Sequence, residues 1–318
     1  MSMTPKDSLS GKIVTVLGGS GFVGSHLAQE LLARGARLRV ASRHPKKAYA
    51  LKPLGNLGQV QFAGCDVTRT DSLAAVLAGS DVVINLVGAF SGNLDALQGE
   101  GLARIAAAAK AAGAQSFVHI SAIGADASSD VAYARTKAEG EQAALAEFPE
   151  ATILRPSVMF GPDDKFLMMF GDLMASAPVM PIFVPEGRLQ PVFVDDVAEA
   201  IANTAGDPLT HGGKTYEIAG PEVVTMRELN HRIAAAAGRK PCFIEMPDAF
   251  AGLFAALPLT PISSDQIKLL KAGSVASDGA PGLAELGVKA RPMGLFLDRW
   301  MTQFRKHGRF GTKESTEA

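Results

Sequence analysis

Two residues of this chain have the types and the spacing of an acid/base pair. Tyr133 and Lys137 are four residues apart in the segment Tyr-Ala-Arg-Thr-Lys, so a helix would present both side chains on one face. A lysine ammonium beside a phenol stabilises the phenolate and lowers the pKa of the tyrosine. Tyr133 is therefore a candidate proton donor or acceptor, and Lys137 could also donate a hydrogen bond to a sugar hydroxyl.

A glycine-rich turn near the N-terminus predicts a binding site for the pyrophosphate of a dinucleotide. An apolar segment, Ile13–Leu17, leads into this turn, which continues directly into a helical pattern. Gly18 would permit the tight turn, Gly21 would let the backbone approach the phosphates, and Gly24 would let the helix pack closely on the strand. The N-terminus of that helix attracts the anion. The predicted cofactor contacts here are Gly18, Ser20, Gly21, Phe22, Val23 and Gly24.

The end of the second predicted strand indicates which dinucleotide fits. NAD-binding proteins usually carry an acid there, which accepts hydrogen bonds from the ribose 2′-hydroxyl. In this chain the strand Arg37–Ala41 is followed by Ser42 and Arg43. The planar guanidinium of Arg43 could pair with a 2′-phosphate, which favours NADP(H) and leaves NAD(H) as the alternative. The simpler interpretation is that Arg43 is a solvated surface arginine.

Residues after the next two predicted strands complete the candidate nucleotide site. Asp66 and Val67 follow the third strand, Val60–Ala63, and would flank the adenine. Asp66 could equally be a turn or helix-cap residue. The segment that would run beneath the cofactor at the end of the fourth strand consists of Leu86, Val87 and Gly88.

Strand-like and helix-like segments must alternate to position these residues, and the sequence shows this alternation. Apolar strand segments recur through the first half of the chain and are separated by helical patterns, including Gly101–Ala112 and Val131–Glu147. Parallel strands need helical crossovers, so we predict an α/β fold with a doubly wound parallel (Rossmann) sheet. The dinucleotide-binding domain would span residues 10–160 and be completed by about residues 190–220.

The pattern changes after Pro156. Prolines and short segments between Gly161 and Gln190 are typical of an irregular substrate lobe. We predict a smaller C-terminal α/β substrate or partner lobe formed by residues 161–190 and 221–307. The polar residues 308–318 are expected to be a disordered tail.

Composition and charge exclude several other functions. The net charge of −1 gives no electrostatic attraction for nucleic acid. Hydrophobic residues make up 47% of the chain, which is enough for a sizeable core. Two cysteines, Cys65 and Cys242, are too few for a disulfide framework, and no metal site is predicted.

No segment of the sequence has the length expected of a transmembrane helix. The most apolar stretch, residues 246–262, is interrupted by prolines. Its large apolar residues recur at helical spacing, which favours core packing but would also suit a membrane surface, a quinone tail or a partner. We therefore expect a cytoplasmic protein, peripheral at most to the inner face of a membrane.

Together these features resemble the extended short-chain dehydrogenases/reductases, over nearly the whole chain. The resemblance implies that Tyr133 and Lys137 act in catalysis and also contact the cofactor, and that Pro156 lies at the cofactor site. The residues that carry it are Gly18, Gly21, Gly24, Asp66, Asn85–Gly88, Tyr133, Lys137, Arg155 and Pro156.

A closer resemblance is to the atypical branch that contains the NADPH-binding accessory subunit of respiratory complex I and its bacterial relatives. The segments His119–Asp126, Tyr133–Glu141, Arg155–Gly161 and Tyr216–Glu222 carry it. This branch implies tight nucleotide binding without established catalysis, and a partner related to a respiratory complex or to quinone.

One position departs from the superfamily pattern. Active members usually carry a serine or threonine that hydrogen-bonds the substrate oxygen, and alignment of the fifth strand puts Ala122 there. Ser121 is one residue earlier, and adjacent residues of an extended strand point to opposite faces. Ser121 is thus a candidate catalytic hydroxyl, with a backbone hydrogen bond at the strand end as the alternative.

Three hypotheses follow from the sequence. In the first, the chain is an accessory or assembly protein whose bound NADP(H) is structural or regulatory. In the second, it is an NAD(P)-dependent oxidoreductase, epimerase or dehydratase that uses Tyr133 and Lys137 on a carbonyl or alcohol. In the third, it is a redox sensor whose partner contacts change with cofactor occupancy.

Overall fold

Seven parallel strands form one sheet in the first of the two compact units of the chain. The structure is a computed structural model that describes residues 8–247 and 263–306. Numbered along the whole chain, the strands are β1 (Ile13–Leu17), β2 (Arg37–Ser42), β3 (Val60–Gly64), β4 (Val82–Asn85), β5 (Ser116–Ile120), β6 (Thr152–Pro156) and β11 (Thr215–Ile218). Their order is β3-β2-β1-β4-β5-β6-β11, with every neighbouring pair parallel.

Helices connect these strands. Helix α1 packs against α7, and α4 packs against α5. The helices of the first unit are α1 (Phe22–Ala33), α2 (Thr70–Leu77), α3 (Leu94–Gln98), α4 (Glu100–Ala111), α5 (Ala132–Glu147), α7 (Val194–Gly206) and α8 (Pro208–His211). This arrangement confirms the predicted α/β class with a doubly wound parallel sheet.

The local sequence explains why these elements form. Strand β4 is Val-Val-Ile-Asn and is buried along its whole length, as expected for a strand covered on both faces. Gly35 follows α1 with φ +76° and Gly113 follows α4 with φ +78°, a conformation that favours glycine and ends a helix. The hydroxyls of Thr15 and Ser80 hydrogen-bond each other at 2.6 Å in the core.

The strand order creates a crevice at the middle of the sheet. From β1 the chain proceeds to β2 and β3 in one direction, and then returns to β4 on the other side of β1. In open α/β sheets, ligands bind outside the carboxyl ends of the strands at this kind of switch point. The carboxyl ends of β1, β2, β4 and β5 therefore mark the candidate site.

The second unit contains three two-stranded sheets and four α-helices among its described residues. The strand pairs are β10 with β7, β12 with β9, and β13 with β8. The units comprise Met1–Pro156, Val194–Ile218 and Ser277–Lys289 for the first, and Ser157–Phe193, Ala219–Ala276 and Ala290–Ala318 for the second. The elements of the second are β7 (Met159–Phe160), α6 (Lys165–Ser176), β8 (Val179–Phe183), β9 (Arg188–Leu189), β10 (Val192–Phe193), β12 (Val224–Thr225), α9 (Met226–Ala236), β13 (Cys242–Met246), α10 (Ser264–Ala272) and α11 (Leu297–Met301).

Helix α6 corrects the expectation that residues 161–190 are irregular. Asp164 caps this 12-residue helix, and its Oδ1 accepts a hydrogen bond from Leu167 N at 2.6 Å. Leu167, Phe170 and Met174 are buried, at the spacing of one helical face. The prolines that suggested irregularity flank the helix and do not interrupt it.

Two expectations concern residues outside the described part of the chain. Nearly all of the apolar stretch 246–262 and the whole tail 308–318 lie there. Within the described residues, no helix combines the length and hydrophobicity that a bilayer span requires.

Candidate functional site

The first glycine of the turn has the geometry that a close ligand approach needs. Gly18 has φ +77°, and its N–H donates to Ala41 O at 2.8 Å, which ties the turn to the end of β2. A Cβ at Gly18 would lie 3.3 Å from the backbone of Leu86 and Val87. The ends of β1 and β4 therefore approach each other too closely for a larger residue to fit without a shift.

Gly24 brings the start of α1 onto the turn. A Cβ there would overlap the carbonyl group of Gly19 and lie 2.6 Å from the Gly19 Cα atom. The atoms it would meet belong to the backbone, so they cannot move aside as a flexible side chain could. The close packing of helix on turn depends on glycine at this position.

The N-terminus of α1 carries the features of an anion site. Gly21 is the N-cap, is exposed, and provides no side chain to cap the first N–H groups of the helix. The first turn of α1 contains no acidic residue. The positive end of the helix dipole is therefore uncompensated locally. Ser20, Phe22 and Val23 flank it and are half-buried.

The end of β2 presents a buried hydroxyl and an exposed cation. Ser42 Oγ is buried and has no hydrogen-bond partner within the described residues. Arg43 is exposed, and its charge helps to lower the pKa of Asp66. The larger cause is Thr68, whose N–H and Oγ donate to Asp66 Oδ1 at 3.0 and 2.7 Å. Asp66 thus stabilises a turn, which is the alternative role that the sequence offered for it. Val67 beside it is buried.

A buried polar pair fixes the end of β4. Asn85 Oδ1 accepts from Val87 N at 3.2 Å, and Asn85 Nδ2 donates to His119 Nδ1 at 3.0 Å. Burial holds the pKa of His119 well below its usual value, so this imidazole is neutral. Leu86 N–H donates to Leu17 O at 2.9 Å, which fixes the segment against β1.

Gln98, which sequence reasoning missed, fixes the following loop. Its Oε1 accepts from Ala89 N at 3.1 Å, and its Nε2 donates to Thr136 on α5 at 3.0 Å. Gly88 lies beside this side chain and beside Lys137, since a Cβ at Gly88 would be 3.2 Å from Lys137 Nζ. No local sequence signal marks Gln98, because its role depends on contacts with two distant segments.

The structure corrects the expected lowering of the Tyr133 pKa. Burial raises the pKa of Tyr133 to about 12. The ring of Phe90 stacks on the ring of Tyr133, with centroids 4.4 Å apart and planes at 16°. The prediction of an activated phenol is wrong for this conformation, because the low-dielectric surroundings disfavour the charged form.

Lys137 is buried and bonded to the backbone. Its Nζ donates to Ile120 O at 2.9 Å. Burial lowers the pKa of Lys137 to about 8, with the Glu141 carboxylate acting in the opposite direction. Its proton is therefore held less firmly than that of an exposed lysine.

Ser121 directly precedes the position at which active members carry a serine or threonine. It is buried at the end of β5. Ser121 Oγ has no hydrogen-bond partner within the described residues, so the expected alternative of a backbone bond is not found. Ala122, the next residue, is half-buried. Pro156, at the end of β6, is buried and its carbonyl accepts from Ile123 N at 3.0 Å.

Two buried hydroxyls indicate that the site fits a dinucleotide. The hydroxyls of Ser42 and Ser121 are buried and unpartnered at the carboxyl ends of β2 and β5, on either side of the switch point. Buried polar groups without partners are uncommon in folded proteins and indicate a ligand or water that completes them. With the glycine turn between them, the residues present fit an extended dinucleotide.

The chain matches two protein families. Residues 18–164 match the family described as NAD(P)H-binding, and residues 125–268 match the RmlD substrate binding domain. The first match covers the glycine turn, Arg43, Tyr133 and Lys137. A nicotinamide dinucleotide is therefore the cofactor class of this domain.

Several relatives match most of the chain. NADH dehydrogenase (ubiquinone) 1 alpha subcomplex subunit 9, mitochondrial, from Arabidopsis thaliana is 32% identical over 98% of this chain and 82% of that protein. The protein of the same name from Rattus norvegicus is 31% identical over 91% of this chain and 80% of that protein. Ceramide reductase from Caulobacter vibrioides is 28% identical over 74% of each.

A solved structure shares the fold. The NADPH-dependent quinone oxidoreductase QOR2 of Escherichia coli, complexed with NADPH, superposes with a TM-score of 0.73 at 19% identity. The match covers 91% of this chain and 99% of that chain. At this identity the likeness establishes the fold alone.

Proposed function

Because this chain belongs to the family of NADH dehydrogenase (ubiquinone) 1 alpha subcomplex subunit 9, within the extended short-chain dehydrogenases/reductases, we propose that it holds NADP(H) as a structural or regulatory element. The observation that carries the proposal is the contrast between the two halves of the site. The phosphate-binding turn is complete, whereas the phenol of the acid/base pair is half-buried, stacked against Phe90, and has a raised pKa.

The chain's own residues have defined roles in this proposal. The backbone of Gly18–Gly24 and the start of α1 bind the pyrophosphate. Leu86, Val87 and Gly88 run beneath the nicotinamide half, and Asp66 with Val67 borders the adenine. Lys137 and Pro156 line the nicotinamide ribose. When bound, the nicotinamide supplies a site for hydride transfer.

Two features of the site argue against rapid acid/base chemistry. A phenol with a pKa of about 12 is a poor base at neutral pH, and Phe90 stacks on its ring. Ala122 also offers no hydroxyl where active members place one. Loss of one donor to a developing oxyanion costs roughly 10²–10³-fold in rate.

Arg43 is the basis of the proposed preference for NADP(H). We expect Arg43→Ala to weaken NADP(H) binding by about 1.5–3 kcal/mol, the value of one charged hydrogen-bonding partner, and to change NAD(H) binding little. Isothermal titration with both nucleotides measures this difference. Arg37→Ala is the matched control, because Arg37 is exposed at the opposite end of the same strand.

Equal losses for NADP(H) and NAD(H), or no loss, would show that Arg43 does not contact the 2′-phosphate. A loss of NADP(H) affinity in Arg37→Ala as large as that in Arg43→Ala would assign the effect to overall charge.

An active oxidoreductase is the second candidate, favoured by the intact Tyr133–Lys137 pair and by the ceramide reductase relative. On the structural proposal, we expect Tyr133→Phe to leave NADPH affinity and every cellular phenotype unchanged. The mutation removes only the hydroxyl, so the stacking with Phe90 is retained. Steady-state assays over a panel of carbonyl and quinone substrates, with Phe90→Leu as a packing control, measure any turnover. Turnover that Tyr133→Phe abolishes would establish the enzyme instead.

The family also indicates a class of partner for this chain. We propose that this chain assembles with a respiratory or quinone-linked complex, as the relatives' names describe for those proteins. Its place would be cytoplasmic, peripheral to the inner face of the membrane.

A further inference from the structure

The connection between β2 and β3 contains a ten-residue 3-10 helical segment, Pro45–Leu54. Side chains three residues apart are eclipsed in such a helix. Ala48 and Leu51 are buried and face the protein. The row Lys46, Tyr49 and Lys52 is exposed, as is Lys47 beside it, and we call these four residues the lysine ridge.

The ridge lies in the most basic part of the chain. No acidic residue occurs between Glu30 and Asp66, although the whole chain has a net charge of −1. Lys46, Lys47 and Lys52 are exposed, and none of them forms a salt bridge with a described carboxylate. Their charges are therefore available to an external anion.

Large apolar side chains are exposed among these cations. Tyr49 is 52% exposed, Leu54 is 47% exposed and Leu57 is fully exposed. Tyr49 contacts Phe62 edge-on with ring centroids 5.1 Å apart, which restricts the motion of its ring. Exposed leucines and a tyrosine thus lie beside unpaired lysines, so this surface offers apolar and cationic groups together.

We propose that residues 46–57 dock this protein on an anionic phospholipid surface. Lysines near such a surface are attracted to the lipid phosphates, tyrosine favours the headgroup level, and leucines enter the acyl boundary. The charge complementarity is direct, because the segment carries cations and no carboxylate. The proposal is independent of the nucleotide site.

A lipid surface fits these residues better than an acidic protein does. Protein interfaces are depleted in lysine and enriched in arginine, and their anchors fill preformed pockets. Here the cations are three exposed lysines on one helical segment. Flexible ammonium groups suit the mobile phosphates of a bilayer.

The test is sedimentation of the full chain with vesicles of phosphatidylcholine, with or without phosphatidylserine. Wild-type protein should bind only the anionic vesicles, and less at high salt. The variant Lys46→Gln/Lys47→Gln/Lys52→Gln should lose roughly hundredfold in partitioning, which is about fivefold per lysine. The matched control, Lys110→Gln/Lys214→Gln/Lys289→Gln, removes three exposed lysines elsewhere in the same unit.

The apolar part of the surface is tested separately. Leu54→Ser/Leu57→Ser should weaken vesicle binding at high salt as well, where electrostatic attraction is screened. Equal loss in the ridge and control variants would overturn the proposal, as would failure of the wild-type protein to bind anionic vesicles. Ridge-dependent binding to poly-glutamate, with no vesicle binding, would instead identify an acidic protein partner. NADPH affinity, measured in parallel, reports the nucleotide proposal independently.

Discussion

Gly24→Ala should lower the free energy of unfolding by about 2 kcal/mol, within the usual range for overpacking. The new methyl group would meet the carbonyl of Gly19 and lie 2.6 Å from its Cα atom, so the helix and the turn must separate. The displaced turn should also lose at least one charged hydrogen bond to the pyrophosphate. That loss, about 1.5–3 kcal/mol, lowers nucleotide affinity roughly ten- to hundred-fold.

Denaturant unfolding of the free protein and titration with NADPH measure these two effects separately. Gly64→Ala is the matched control, because Gly64 ends β3 and a Cβ there meets no atom within 4 Å. We expect the control to change neither quantity. Normal nucleotide affinity in a folded Gly24→Ala protein would contradict the proposed role of the turn.

Lys137→Met should remove a buried charge that lowers the free energy of unfolding when no nucleotide is bound. Burial lowers the pKa of Lys137 from 10.5 to about 8, so over this interval the unfolded chain binds more protons than the folded chain. Stability of the wild type must then rise with pH. Relative to Lys137→Met, the gain between pH 7 and pH 10 is about 2.5 kcal/mol.

The same substitution should weaken NADPH binding, because the proposed hydrogen bond to the nicotinamide ribose is lost. Unfolding free energies at several pH values give the first effect, and titration at neutral pH gives the second. Lys110→Met removes an exposed lysine and is the control for both. A pH dependence identical in the wild type and Lys137→Met would mean that Lys137 is not desolvated as the structure shows.

The fold could be predicted because its determinants are local. Strands β1 and β4 are rich in valine, isoleucine and leucine, and glycines with positive φ end α1 and α4 where the helical pattern stops. The segment 45–54 gave no clear signal, because its prolines and lysines fit neither a strand nor an α-helix. Helix α6 was not predicted, because prolines stand on both sides of it and are typical of irregular segments.

The site was predicted where one segment defines it and missed where distant segments meet. The glycines of one short segment determine the geometry of the turn, so its position could be predicted from their spacing. The pKa of Tyr133 depends on burial, and Phe90 covers its ring from a loop about forty residues earlier. Gln98 likewise acts through Ala89 and Thr136. Neither contact has a signature in a single sequence.

The most direct test of a structural role for NADP(H) is to identify the nucleotide that stays bound to the full chain through purification. Its identity is read by mass spectrometry, and its redox state by the absorbance of the nicotinamide during challenge with carbonyl and quinone compounds. We predict bound NADPH that stays reduced and remains associated with the wild-type protein. Repeated oxidation and exchange of the nucleotide, lost in Tyr133→Phe, would contradict a structural role, and the absence of any bound or bindable dinucleotide would contradict the site itself.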